Sequence, residues 1–125
     1  MTSLHRAELS SATQDALQSW DPDSADSVSA AVAVRSALND IAEQFPGRSV
    51  ELRVVPVAAV QLVPGPAHRR GTPKATVEMS AEVFLMLLRN ELSWDEARKA
   101  GQIQASGERS DLSALFPAED PGVTT

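Results

Sequence analysis

The side chains that could do chemistry are few and poorly placed for it. His5 and His68 are the only histidines, and neither has a second at H-x-x-H or H-x-x-x-H spacing, so no metal site is expected. With no cysteine, disulfides, thiolate catalysis and cysteine metal sites are excluded. Serines are plentiful, but none has a base beside it, and nucleophile-elbow, phosphate-cradling and Rossmann glycine patterns do not occur. The acidic neighbours Asp95 with Glu96, and Glu119 with Asp120, read as helix-start and tail charges rather than an acid/base pair. The expectation is a non-enzyme with no catalytic residue, metal or cofactor.

One cluster of cations stands out: His68, Arg69 and Arg70, with Lys74 close by. It lies in PGPAHRRGTPK, Pro64 to Lys74, where three prolines and two glycines dictate a loop. The cluster is either solvated or a contact for an anion or an anionic membrane, its glycines able to aim N–H groups at the charge. Three cations near such a surface contribute about 1 kcal/mol each. A net charge of −6 opposes them, so membrane contact is expected to be transient. The same excess, 17 acidic against 11 basic side chains, argues against nucleic acid as a partner. The opening MTSLHRAELSS is not a charged start leading into an apolar run, and no apolar run nears the roughly 18 residues of a membrane span. A cytoplasmic location is the expectation.

The elements around these residues follow from period and caps. Leu9, Ala12, Ala16, Leu17 and Trp20 place a helix within residues 3–20, leaving His5 near a mobile end. Asp21-Pro22-Asp23 breaks it. Ala31, Val34, Leu38, Ile41 and Phe45, at steps of three and four, predict a second helix stopped by Pro46-Gly47. Val50, Leu52 and Val54 alternate with Glu51, Arg53 and Val55 as a strand with one wet face. The run from Val57 to Val63, apolar except for Gln61, predicts a strand covered on both faces and therefore interior to the sheet. Ala75, Val77 and Met79 alternate in a third strand, and Ser80 caps the helix that follows, with Glu82 in its first turn.

That helix, Ala81 to about Asn90, holds six consecutive apolar residues, Val83 to Leu88, too many for one face, so it must be covered on several sides. Ser93 to Glu96 is a capping box opening a short helix that leaves through Gly101. Trp94 is either packed or an exposed anchor, packing being the preferred reading. Ile103 and Ala105 then face the core from a fourth strand ended by Gly107. Ser110 or Asp111 caps a last helical turn or two presenting Leu112, Leu115 and Phe116, halted by Pro117. The order predicts an α+β fold, a small mainly antiparallel sheet covered on one face by helices.

The run TVEMSAEVFLMLLRNELSWDEARKAGQIQASGERSDLSALFP resembles the C-terminal half of the sterol carrier protein type two family. The matching positions are Val77 to Ser80, Phe84 to Leu88, Ala97, Gly101, Ile103, Gly107, and Leu112 with Leu115. With VELRVVPVAAVQLVPGPAHRRGTP before it, the chain is similar to the short actinobacterial members. The resemblance covers residues 25–117, leaving 1–24 as an N-terminal helix and linker and 118–125 as a flexible tail. It implies a sheet roofed by helices, with an apolar tunnel for a fatty acyl chain, acyl-CoA or sterol, or an accessory domain that holds no lipid. Pro64 to Lys74 departs from the family, where longer members have more regular strand, and the terminal GVTT is not a peroxisomal address.

Under the carrier reading, the pocket lining is Val60, Leu62, Val77, Phe84, Leu87, Leu88, Ile103, Leu112, Leu115 and Phe116. Under the alternative, the same residues fill a core and the chain is an interaction module, pairing with a partner protein or a second copy through its second helix or a strand edge. Ala58, Ala59, Ala75 and Ala105 leave room inside, whereas Phe84, Met86 and Phe116 fill it. An acyl chain of about sixteen carbons gains at most roughly 12 kcal/mol on full burial, at about 0.8 per methylene. Association costs an estimated 4 to 15 kcal/mol, so retention demands a pocket that is already open.

Overall fold

The computed structural model describes residues 4–65, 75–107 and 110–117. Residues 4–10 precede α1 (Ser11–Ser19), a helix shorter than the predicted 3–20 because Ser10 caps it, its hydroxyl accepting from the Thr13 N–H. Asp26 caps α2 (Ser27–Gln44), which buries Val34, Leu38 and Ile41 as the spacing predicts, Phe45 following as the buried cap. Then come β1 (Val50–Val55), β2 (Ala58–Leu62) and β3 (Ala75–Ser80), followed by α3 (Ala81–Leu88), α4 (Trp94–Lys99), β4 (Ile103–Ser106) and a 3-10 turn, Ser113–Leu115.

The strands form one sheet in the order β2-β1-β3-β4. The outer ladders are antiparallel and the central β1–β3 ladder is parallel, Leu52 lying beside Val77 and Val54 beside Met79. The fold is therefore α+β with a mixed, mostly antiparallel sheet. Val50, Leu52, Val54, Ala75, Val77, Met79 and Ile103 point into the core under α2 and α3. The opposite face is polar: Arg53 pairs with Glu51 at 2.8 Å and reaches Glu78 at 3.8 Å, and Thr76 bonds Ser106 at 2.8 Å.

Two expectations are corrected. β2 is an edge strand, not an interior one, and Ala59 and Gln61 are exposed while only Leu62 of the strand is fully buried. Two of the six apolar residues in the run, Ala58 and Ala59, are alanine, which is cheap to leave in water, and Val57 and Val60 are only half-buried, so the pattern overstated the covering. The C-terminal segment forms a single 3-10 turn with no side-chain cap, Asp111 instead accepting from the Ser113 N–H at 2.9 Å.

The capping readings for the two preceding helices match the geometry. Ser80 accepts from Val83, and Ser93 and Glu96 cap reciprocally. α3 closes with Asn90 at φ 59 and α4 with Gly101 at φ 74. In each, paired backbone bonds satisfy the last carbonyls: Asn90 to Leu87 with Glu91 to Met86, and Gly101 to Arg98 with Gln102 to Ala97.

Candidate ligand groove

The predicted lining residues separate into two groups. Leu62, Val77, Phe84, Leu87 and Leu112 are completely buried, with Ile103 and Phe116 nearly so, all in one apolar cluster. Phe84 meets Phe116 edge-on at 6.0 Å, and Phe116 stacks on Trp94 at 5.9 Å, so Trp94 packs as preferred. Val60 is half-buried on the sheet edge. The second group, Leu88 and Leu115, is buried as well, Leu115 completely, but backs an open groove of about 860 Å³, within the range of small-molecule sites.

The facing wall of that groove comes from the N-terminal segment, including Ala7, Leu9 and Leu17, with Arg6, Gln14 and Gln18 at the rim. Sequence reasoning missed this wall. Leu9 and Leu17 carried a helical signal, but no local pattern says which surface an amphipathic segment covers. Arg89 completes the rim and braces the wall: it donates to the Trp20 carbonyl at 2.8 Å, lies 5.1 Å from the Trp20 ring centre and pairs with Glu91 at 2.7 Å. A second depression of about 1080 Å³ shares Arg6 and Pro117 with the first and is lined by Trp94, Phe116, Arg98 and Asp111. The Asp111 carboxyl is held below its ordinary range by hydrogen bonds from Ser113, against the effect of burial and with a smaller pull from Arg98.

What fixes the N-terminal wall is a polar seam along α2. Thr13, the one fully buried polar side chain among the described residues, donates to Asp40 Oδ2 at 2.6 Å. Its oxygen is then left to accept from Ser36, 2.5 Å away, and Ser10, 3.0 Å away. Asp40 Oδ2 also accepts from the Ser10 N–H at 2.8 Å, and the Gln44 amide exchanges two bonds with the backbone of Glu8. His5, expected near a mobile end, lies 4.9 Å from the Phe45 ring.

Burial pushes the Asp40 carboxyl up, but the bonds from Thr13 and Ser10 outweigh it and hold the group below the usual carboxylate range. A depressed folded value means that this stabilisation is complete above the unfolded value of about 3.9 and is lost as pH falls through the folded one. Asp40→Asn is therefore expected to cost about 1 kcal/mol at pH 7, solvent screening included. In thermal unfolding, the gap between parent and variant should close as pH drops below about 4.

Asp95 pairs with Lys99 at 2.9 Å and Glu96 serves its cap, the helix-start roles read from the sequence. Among the described residues no three His, Cys, Asp or Glu side chains gather to hold a metal, and no helix is long and apolar enough to cross a membrane. His68, Arg69, Arg70, Lys74, Glu119 and Asp120 lie outside the described residues.

No curated protein matches the chain. A family model does, described as the bacterial SCP ortholog and aligned over residues 26–118. That span holds the whole sheet and its covering helices α2 and α3, the arrangement expected of a sterol-carrier-like fold. The chain belongs to the bacterial family of sterol carrier protein orthologs.

Proposed function

We propose that the protein is a non-enzymatic carrier for a single-chain amphiphile, a fatty acyl compound or similar lipid. The tail lies in the groove between the N-terminal segment and the pair Leu88 and Leu115. The observation that carries this reading is the groove itself, whose lining joins Leu88 and Leu115 to Ala7, Leu9 and Leu17 beside Arg6 and Arg89. On this reading the tail lies on the far side of α3 rather than in the sheet–helix interior, where Phe84, Leu87 and Leu112 leave no exposed surface. Membership of the family and the net charge of −6 support a cytoplasmic protein with at most passing membrane contact, His68, Arg69 and Arg70 being its natural point.

Magnitudes say what more the site needs. A chain of about sixteen carbons lying on an open floor buries about half its surface, so it gains roughly 6 kcal/mol. The estimated association cost of 4 to 15 kcal/mol consumes most of this. Useful affinity requires the groove to enclose the tail.

The closed core favours a second reading, an accessory module that binds a protein and no lipid. Native mass spectrometry of protein purified from its own host separates the two, a copurified lipid mass supporting the carrier. In addition, Leu88→Arg puts a cation in the groove floor and is expected to abolish uptake of the fluorescent fatty acid cis-parinaric acid. A variant folded by far-ultraviolet dichroism that still binds at parental affinity would remove the groove from consideration.

A further inference from the structure

We infer that residues 4–19 are a strap, able to lift from the body and close again over a bound tail. The closing half of this inference rests on the reading under Proposed function, and the lifting half stands on geometry alone. The strap is fastened along one row of α2, through Ser36, Asp40 and Gln44, four residues apart and so on one line of the helix surface. Its bonds there are polar: Ser36 to Thr13, Asp40 to Thr13 and Ser10, Gln44 to Glu8. Each of these groups finds an equivalent partner in water once parted, unlike buried apolar surface, whose exposure is uncompensated. Within residues 4–19 only Ala7 and Leu17 are buried apolar side chains.

The hinge and the opening are also visible. Arg89 holds the carbonyls of Leu17 and Trp20 and lies over the Trp20 ring, anchoring the strap's far end to α3. Beyond it, residues 21–26 run in turns and bends to α2. At the end away from Arg89 one backbone bond, from the Ala7 N–H to the Leu115 carbonyl at 2.9 Å, crosses the groove. Parting that bond and the row on α2 opens the groove from residue 4 toward Arg89, with Leu88 and Leu115 as the uncovered floor. The family match begins at residue 26, so the strap precedes the matched span.

The test is a reversible lock. Thr13 Oγ1 and Ser36 Oγ are 2.5 Å apart and the chain has no cysteine, so Thr13→Cys with Ser36→Cys places two sulfurs within bonding reach and permits one disulfide. Hydrogen exchange on the full chain is read first. In the parent, the Ala7, Glu8 and Ser10 amides should exchange at least 100-fold faster than those of Leu52 and Val77. Oxidation of the double variant should remove most of that difference, and Asp40→Ala should enlarge it. Cis-parinaric acid uptake is read second: the oxidised protein should load at least tenfold more slowly than the same protein reduced with dithiothreitol. Strap amides exchanging at the rate of Leu52 and Val77 would overturn the lifting. Equal loading of oxidised and reduced protein would overturn closure over the tail. Failure of both forms and of the parent to take up the acid would end the lipid reading, with the exchange data still deciding for or against the hinge.

Discussion

Replacing Gly47 by alanine is expected to lower stability by about 3 kcal/mol or more, a fall in Tm of roughly 10 °C. A Cβ built there would stand 2.1 Å from the Val63 carbonyl carbon and oxygen, which are backbone and cannot rotate away. Val63 has no slack to give. It sits at φ 71, a region a β-branched residue rarely enters, and three bonds keep it there. Its N–H donates to Phe45 at 2.8 Å, and its carbonyl accepts from the Ser49 N–H at 3.1 Å and the Ser49 hydroxyl at 2.6 Å. This junction fastens the end of β2 to the turn between α2 and β1, so displacing it loosens the seat of α2 on the sheet edge. Gly101→Ala is the control: φ is 74, but nothing lies within 4 Å. Left-handed strain alone costs about 1 kcal/mol. Thermal unfolding by circular dichroism should show the two variants well separated, and equal losses would mean that the contact with Val63 yields.

The same contrast between local and distant causes explains what could be read from the sequence. Ser80, Ser93 with Glu96, and Gly101 act within four residues of themselves, so caps and helix ends were legible. The alternation in β1 and β3 and the burial of Val83, Phe84, Leu85, Leu87 and Leu88 were legible because each pattern reports its own covering. The edge position of β2 was not, since alanines count as apolar in a pattern yet lose little in water. The groove was half legible: Leu88 and Leu115 appear in the expected lining, while Ala7, Leu9 and Leu17 reach them only through a fold-level arrangement. The Thr13–Asp40 bond that fixes this arrangement spans 27 positions and leaves no periodic trace. Nor can composition say whether Phe84, Leu87 and Leu112 surround a void or one another, because an apolar wall and an apolar core are written with the same residues.

Phe84→Ala addresses that last ambiguity and carries the other large effect. Phe84 is wholly buried and its ring edge supports Phe116, which in turn stacks on Trp94. Truncation removes its buried surface and leaves a cavity under α3, a loss of about 3–5 kcal/mol in urea unfolding. A domain of this size holds roughly 5–15 kcal/mol, so a folded population remains to be studied. Trp94 fluorescence should shift in that population as Phe116 relaxes toward the space. The cavity opens the sheet–helix interior without touching Leu88 or Leu115, and so separates the two places a lipid tail could lie. With the tail in the groove, folded Phe84→Ala binds cis-parinaric acid within about twofold of the parent, for its floor is intact. Had the tail occupied the interior, the vacated ring would relieve the overpacking that binding there must otherwise impose, and affinity would rise. Markedly tighter binding by Phe84→Ala would therefore return the ligand to the space between sheet and helices, and unchanged binding keeps it beneath the strap.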